Sequence, residues 1–416
     1  MTVFNSLSFE RTGLVDLPAE YAGGAEAADG TVFRTMEKDG AVKALVTVPA
    51  CGSISLKPAA GKAEEKDCAA ARAYVSENGI VIENEKVRAL IDGRGELVSF
   101  VLKESGREFA AGPMNHLLMY KDVPRLFDAW DIDSNYILQE LKLDEPVSVE
   151  ITCAEGLQAV VHTERRISES VFSQDIVLEE GSRRLEFRTH VDWRELHRLL
   201  KVEFPAAVEA TEGINEIQFG YMKRPTHRSR LYDSDRFEVC AQRYSALCDE
   251  NHGAAVLNDC KYGISMNGNA LQLTLLRAAS CPEMRADNGE HDFTYAVTAW
   301  EGSFLDSPVV KEAYELNVPL QFASGSCPSI QAFTVDAPNV FIDTVKLAED
   351  GSGDVIVRLY EAKKADTFCR FTSGIGAKKI WSCDMLENKE EELELKDGTA
   401  ALHFHTFEVK TLRISR

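Results

Sequence analysis

Between Arg243 and Val297 apolar and polar residues alternate in three runs, GAAVLND (253–259), ALQLTLLR (270–277) and HDFTYAV (291–297), broken at Asn267-Gly268 and Asp287-Asn288-Gly289. A period of two with Gly-containing breaks predicts strands joined by turns rather than helix. The same alternation runs densely from Ala73 to Phe109, across turns at Asn78-Gly79, Asp92-Gly93-Arg94-Gly95 and Ser105-Gly106. It continues in Val149–Cys153, Gln158–His162 and Arg184–Trp193. Many short strands at regular spacing predict an all-β chain built around one large sandwich.

Shorter β-type runs open the chain (VFNSLSF, TVFRTM and AVKALVTVPA), and a separate set closes it (VIVRLYEA, TFCRFT, KKIWSC and LHFHTFEVKTLRIS). The stretch KPAAGKAEEKDCAAAR has no apolar face wide enough to bury and reads as a linker or short exposed helix. VVKEAYEL (309–316) predicts one brief helix, and KEEELELKDG (389–398) an exposed hairpin. The resulting division is a small N-terminal β-domain at 1–56, a linker at 57–73, a large β-domain at 74–320 and a C-terminal β-sandwich at 321–416.

A chain of 416 residues is long enough for more than one core. Its formal charge of −21 opposes a nucleic-acid groove, which needs a basic stripe to displace counterions from phosphates. No run approaches the ~18 apolar residues of a membrane span. The ten cysteines include no C-x-x-C pair, which speaks against a zinc ribbon or disulfide framework and for a reduced, cytoplasmic protein.

Three polar clusters could carry chemistry. In DAWDID, Asp128, Asp131 and Asp133 flank Trp130. A retaining glycosidase needs two carboxyl groups ~5 Å apart, and an aromatic ring can stack on a sugar face. The competing and favoured reading is a turn whose carboxylates accept backbone N–H groups. In RADNGEH (285–291), Asp287, Asn288, Glu290 and His291 surround Gly289. Glu290 and His291 are adjacent on a strand and face opposite sides, so a joint acid–base role is disfavoured. A polar hairpin in which Asp287 and Asn288 bond their own backbone competes with a substrate-facing loop. His403 and His405 share a strand face, but with no third ligand nearby they read as ordinary strand histidines. Asp259 and Lys261 are expected to satisfy each other in a surface turn. No P-loop, Rossmann glycine pattern, nucleophile elbow or H-E-x-x-H motif is present.

The words Leu257-Asn258-Asp259-Cys260-Lys261-Tyr262-Gly263, Leu275-Leu276-Arg277 and Ala286-Asp287-Asn288-Gly289-Glu290-His291-Asp292-Phe293-Thr294-Tyr295 closely resemble the C-terminal half of glycoside hydrolase family 38, the α-mannosidases. The segments Val3 to Arg11, Asp128 to Asp133 and Phe407 to Arg413 resemble other parts of the same region in the same order. The resemblance implies a large β-supersandwich of the galactose mutarotase-like type flanked by smaller β-sandwich domains. It also implies that the zinc ion and the nucleophilic aspartate belong to a preceding catalytic domain, so that this chain has no cofactor of its own and is inactive alone. Met1 leading directly into VFNSLSF is what a shortened chain would show.

On that resemblance the partners are an α-mannoside or oligosaccharide substrate and the N-terminal catalytic domain, with no nucleic acid and no membrane. An apolar docking face left uncovered would make the chain a homo-oligomer. Loops of the large β-domain are expected to close over the sugar, placing Asn115, His116, Asp128, Trp130, Asp287, Asn288, Glu290 and His291 at the cleft rim. For Asn115 and His116 a solvated loop is the competing reading. Two further functions stay open: an autonomous carbohydrate-binding or scaffold module, and, less favoured, a free-standing hydrolase or mutarotase.

Overall fold

The computed structural model describes residues 1–38, 40–60 and 70–416, so most of the expected linker, at 61–69, lies outside the described residues. Strands dominate, and the helix expected at 309–316 is the single α-helix among the described residues, Val309–Asn317. The all-β expectation therefore holds. The chain forms two compact units, one made of Cys68–Ile217 and Met222–Asn317, the other of Met1–Asp67, Gln218–Tyr221 and Val318–Arg416.

Among the described residues the first of these contains three sheets. A six-stranded meander runs from Ala71–Ser76 to Arg107–Glu108 and takes in Glu155–Gly156 at its edge. A nine-stranded sheet is built around Gln158–Ile167, Ser170–Glu179, Leu185–Trp193 and Gly289–Glu301. A second six-stranded sheet centres on His116–Lys121, Arg198–Pro205 and Ala270–Leu276. The three runs that look alike in sequence at 253–297 are thus divided: the first and third pair with each other in the nine-stranded sheet, the second lies in the other. All three sheets turn apolar faces into one core containing Phe100, Phe187, Phe204, Val256, Leu273 and Tyr295. Each fully buried side chain of that size contributes roughly 1.5–3 kcal/mol.

Inside this core lies a closed polar network. Tyr295 donates its hydroxyl to Asn115 Oδ1 at 2.7 Å, and Asn115 donates to Gln174 Oε1 at 2.8 Å. Gln174 in turn donates to the Tyr295 oxygen at 2.8 Å and to Thr189 at 2.9 Å. Asn115 is 6% exposed and in the left-handed region at φ 58°, so it sits in this interior network and not in a solvated loop. Buried amides and hydroxyls keep their cost low only when every partner is present.

The helix Val309–Asn317 buries Val309, Val310, Ala313 and Tyr314 on one face. Arg184 holds it by donating to the Glu312 carbonyl at 3.1 Å and to the Glu315 carboxylate at 3.3 Å, while also pairing with Glu186 at 2.6 Å. Arg243 stacks on Tyr314 at 3.6 Å and forks onto Glu216.

Among the described residues the second unit has two cores. One gathers Val3, Val15, Tyr21, Val42, Val46 and Leu56. The other gathers Phe333, Val357, Phe371, Phe404 and Leu412. Strands Gln321–Ala323 and Ile330–Gln331, which the sequence places with the C-terminal sandwich, instead pair with Thr2–Asn5 and Gly52–Pro58. The exposed backbone edge of the N-terminal sheet is satisfied in this way. The final run, which reads as one strand, breaks at His405–Glu408 into Thr399–Phe404 and Val409–Ser415, members of different sheets. Phe407 takes φ 58° there, and its N–H is received by the buried Glu361 carboxylate at 3.0 Å.

Burial pushes the Glu186 carboxyl up, but the Arg184 and Arg188 guanidinium groups outweigh it and hold the group at about 2. A depressed carboxylate stabilises the fold above its unfolded value and loses that contribution as pH falls through the folded one. Acid unfolding should therefore take this contribution away between about pH 4.5 and 2. Arg184→Met, which strands Glu186 without its main partner, should cost about 3–5 kcal/mol in urea unfolding, and Arg184→Met with Glu186→Gln should recover part of it.

Candidate functional site

The site is built on the connection between Leu185–Trp193 and Arg198–Pro205, which both DAWDID and RADNGEH touch. From the first, Asp128 Oδ2 faces His197 Nε2 at 3.1 Å. From the second, Asn288 donates its side-chain N–H to the Glu195 carbonyl at 2.9 Å. Two polar stretches far apart in the chain are thereby anchored to one short turn. Glu195 is itself held, accepting from the Ser170 hydroxyl at 2.8 Å and the Glu169 N–H at 3.1 Å.

Arg277, at the end of Ala270–Leu276, sets the DAWDID loop. Its guanidinium pairs with Asp122 at 2.6 Å and donates to the carbonyls of Asp128 at 3.2 Å and Asp131 at 2.7 Å. Asp122 is only 2% exposed, and burial raises its carboxyl above the usual range against the pull of Arg277. The loop is a turn, with Trp130 and Asp131 donating their backbone N–H groups to the Phe127 carbonyl. Its carboxylates accept backbone donors: Asp133 from Arg125 at 2.9 Å, Asp131 from Ile132 at 2.9 Å and Asp128 from Ser280 at 2.8 Å. Each of the three aspartates thus accepts a backbone N–H and holds loop geometry, as the favoured reading expects. The apolar members point outward instead, Trp130 at 73% and Phe127 at 68% exposure.

Ser280, His197 and Asp128 form a triangle that spacing along the chain does not announce. Ser280 Oγ lies 2.9 Å from His197 Nε2 and 3.3 Å from Asp128 Oδ2. A nucleophile relay needs the imidazole to reach the hydroxyl with one ring nitrogen and the carboxylate with the other. Here both meet the same nitrogen, so the triangle fastens loops and does not activate the serine. Burial pushes the Asp128 carboxyl up, but the Ser280 N–H and His197 outweigh it and hold it below the usual carboxylate range.

In RADNGEH the His291 Nε2–H donates to the Asp287 carbonyl at 2.7 Å, closing the turn. Asn288 does not bond its own backbone as expected: its amide crosses to Glu195, which is what ties the two loops together. Glu290 and His291 fall on opposite faces of Gly289–Glu301, as adjacent strand residues must. The expected mutual pairing of Asp259 and Lys261 gives way to other contacts. Asp259 accepts the Thr294 N–H at 2.9 Å, and Lys261 lies over the Phe293 ring at 4.3 Å, its ammonium pushed down by burial.

Asn115 belongs to the interior network of the large β-unit. His116 bonds Glu96 Oε1 at 2.8 Å. Sequence reasoning missed Asp122, His197, Ser280 and Arg277 as site residues. Only Arg277 carried a signal, as part of Leu275-Leu276-Arg277.

Residues 82–285 match the family model described as the glycosyl hydrolases family 38 C-terminal domain, and residues 339–412 match the glycosyl hydrolases family 38 C-terminal beta sandwich domain. Alpha-mannosidase 2C1 of Homo sapiens is 38% identical over 350 residues, 81% of this chain and 34% of that protein. Alpha-mannosidase G of Dictyostelium discoideum is 32% identical over 370 residues, 83% of this chain and 33% of that protein. The chain thus spans about a third of the length of the curated relatives it matches. The crystal structure of an alpha-mannosidase from Enterococcus faecalis V583 shares the fold at a TM-score of 0.77 and 15% identity, over 100% of this chain and 56% of that one.

The hydrogen bond to Glu96 raises the His116 pKa above its ordinary 6.5, against the opposing effect of partial burial. A raised histidine contributes stability that is fully present below its unfolded value and is lost as pH rises through the folded one. An NMR titration should place the His116 midpoint above 6.5, and Glu96→Gln should bring it down; an unchanged midpoint would remove Glu96 as the cause.

Proposed function

The chain belongs to the C-terminal β-domain region of glycoside hydrolase family 38, and on that footing we propose that it supports and completes the sugar-binding cleft of an α-mannosidase. Retaining hydrolysis of α-mannosides would be carried out by the part of such an enzyme outside this chain, which would supply the zinc ion and the nucleophilic aspartate. The substrate would be an α-mannoside or oligosaccharide. The role of the residues here is to bind and orient.

One observation carries the reading: DAWDID and RADNGEH are anchored to the same turn, with Trp130 left largely exposed beside the fastened Asp128. An exposed indole offers a flat apolar face to the C–H face of a pyranose, and nearby carboxylates and amides can accept or donate to its hydroxyls. Asp287 lies in the same loop, and Glu290 follows it at the start of Gly289–Glu301. The exposed Phe127, Leu126 and Leu138 would form part of the face that meets the catalytic domain, and the same face would join two copies where that domain is absent. The nine described cysteines are all free, which favours a reducing, cytoplasmic compartment. No described helix is long and apolar enough to cross a membrane.

The exposure of Trp130 also favours a second reading, an autonomous carbohydrate-binding module. Calorimetry of this chain alone with mannose or mannobiose separates the two, since a module binds sugar without the catalytic domain and a cleft-completing part does not.

In the full-length enzyme, Trp130→Ala and Asp287→Ala should each lower mannoside turnover roughly tenfold to a hundredfold, the equivalent of about 1–3 kcal/mol, with little change in melting temperature. Turnover intact in both variants, or loss that tracks unfolding, would show that these loops serve structure alone.

A further inference from the structure

We propose that Asp366, His403 and His405 form a three-ligand site for a divalent transition-metal ion of the zinc class on the C-terminal sandwich. The two histidines alternate onto one face at the end of Thr399–Phe404, where sequence offers no third ligand. The register supplies it. Thr367 pairs with Phe404 and Phe368 with His403, so Asp366, one residue before the strand, arrives opposite His405.

The donor atoms of the three side chains all lie within 4.8 Å of one another. Asp366 places one oxygen 2.7 Å from His403 Nε2 and the other 3.1 Å from His405 Nδ1. Two imidazoles and a carboxylate suit zinc, with bond lengths of about 2.0–2.2 Å and a remaining position for water or an outside ligand. Ligand atoms that converge this closely need only small rotations to surround one ion. The proton that each imidazole now directs at the carboxylate moves to its other ring nitrogen or to solvent when the metal takes its place.

The ligands are also preorganised, which separates the cluster from a chance meeting of surface side chains. Phe368 stacks on the His403 ring at 4.2 Å and 12°, restricting its plane. The His405 N–H is received by Glu408 at 2.8 Å, and the Phe407 N–H by the buried Glu361 at 3.0 Å, fixing the turn that carries His405. On the other strand, Asn339 bridges Glu361 at 2.9 Å and Thr367 at 2.7 Å, so the residue beside Asp366 is held by the same buried carboxylate. His405 and Asp366 are exposed, which gives an ion a way in.

The test is zinc titration of this chain after chelator treatment, read by calorimetry and elemental analysis. It is repeated with cobalt, whose visible spectrum reports nitrogen and oxygen ligands directly. One ion per chain is expected. Asp366→Asn, His403→Ala and His405→Ala should each weaken binding at least tenfold with unchanged circular dichroism. His190→Ala, which alters an exposed His190–Asp292 pair elsewhere, should leave it unaltered. No stoichiometric binding, or binding indifferent to all three substitutions, would overturn the proposal. Because the readout is metal on this chain and not mannoside turnover, its failure leaves the cleft-completing reading untouched.

Discussion

The ion pair between Arg277 and Asp122 is the constraint on which the exposed end of the large β-unit depends. Asp122 is almost wholly removed from water, and an ionised carboxylate there is tolerable only with a partner of matching geometry. Arg277 provides one with part of its guanidinium and uses the remaining donors on the carbonyls of Asp128 and Asp131. A lysine, with a single ammonium on a flexible stem, has no equivalent fork. One side chain thus satisfies a buried charge and also dictates the course of the loop that presents Trp130.

The polar groups around that loop are mostly occupied with one another. Asp128 receives the Ser280 N–H and faces His197, and Asn288 crosses to the Glu195 carbonyl. Such closure is how a β-unit can hold a long loop at its surface: each fixed backbone residue costs roughly 1–2 kcal/mol of conformational entropy, which side-chain to backbone hydrogen bonds help to offset. It also limits the chemistry. Groups locked into loop geometry are poorly suited to exchange protons with a substrate, which agrees with a binding and orienting role for the turn that joins them.

The cluster on the C-terminal sandwich has a different character. Asp366 bridges two imidazoles near the surface, and the backbone beneath it is fastened by the buried Glu361 and by Glu408. Rigid support under accessible ligands contrasts with the Ser280–His197–Asp128 triangle, in which a shared ring nitrogen closes the arrangement on itself.

Period-two alternation, read with its Gly-containing turns, was enough to establish an all-β chain and the hairpins between Ala73 and Phe109, and the run VVKEAYEL marked the brief helix at Val309–Asn317, whereas the first strand of the meander begins at Ala71, inside the stretch read as a linker. These features are local: alternation determines which face of a strand is apolar, and a Gly turn determines where it reverses. Sheet membership is not local. Nothing within ALQLTLLR distinguishes it from its neighbours, yet it joins a different sheet, and 321–331 completes the edge of the N-terminal sheet. The site follows the same division. The words DAWDID and RADNGEH were legible as polar turns, whereas their meeting at the Glu195–His197 turn required the strands on either side to be paired. Likewise the shared face of His403 and His405 was visible in their spacing, but Asp366 became their neighbour only through strand register, because pairing across a sheet joins residues by backbone hydrogen bonding and not by proximity in the chain.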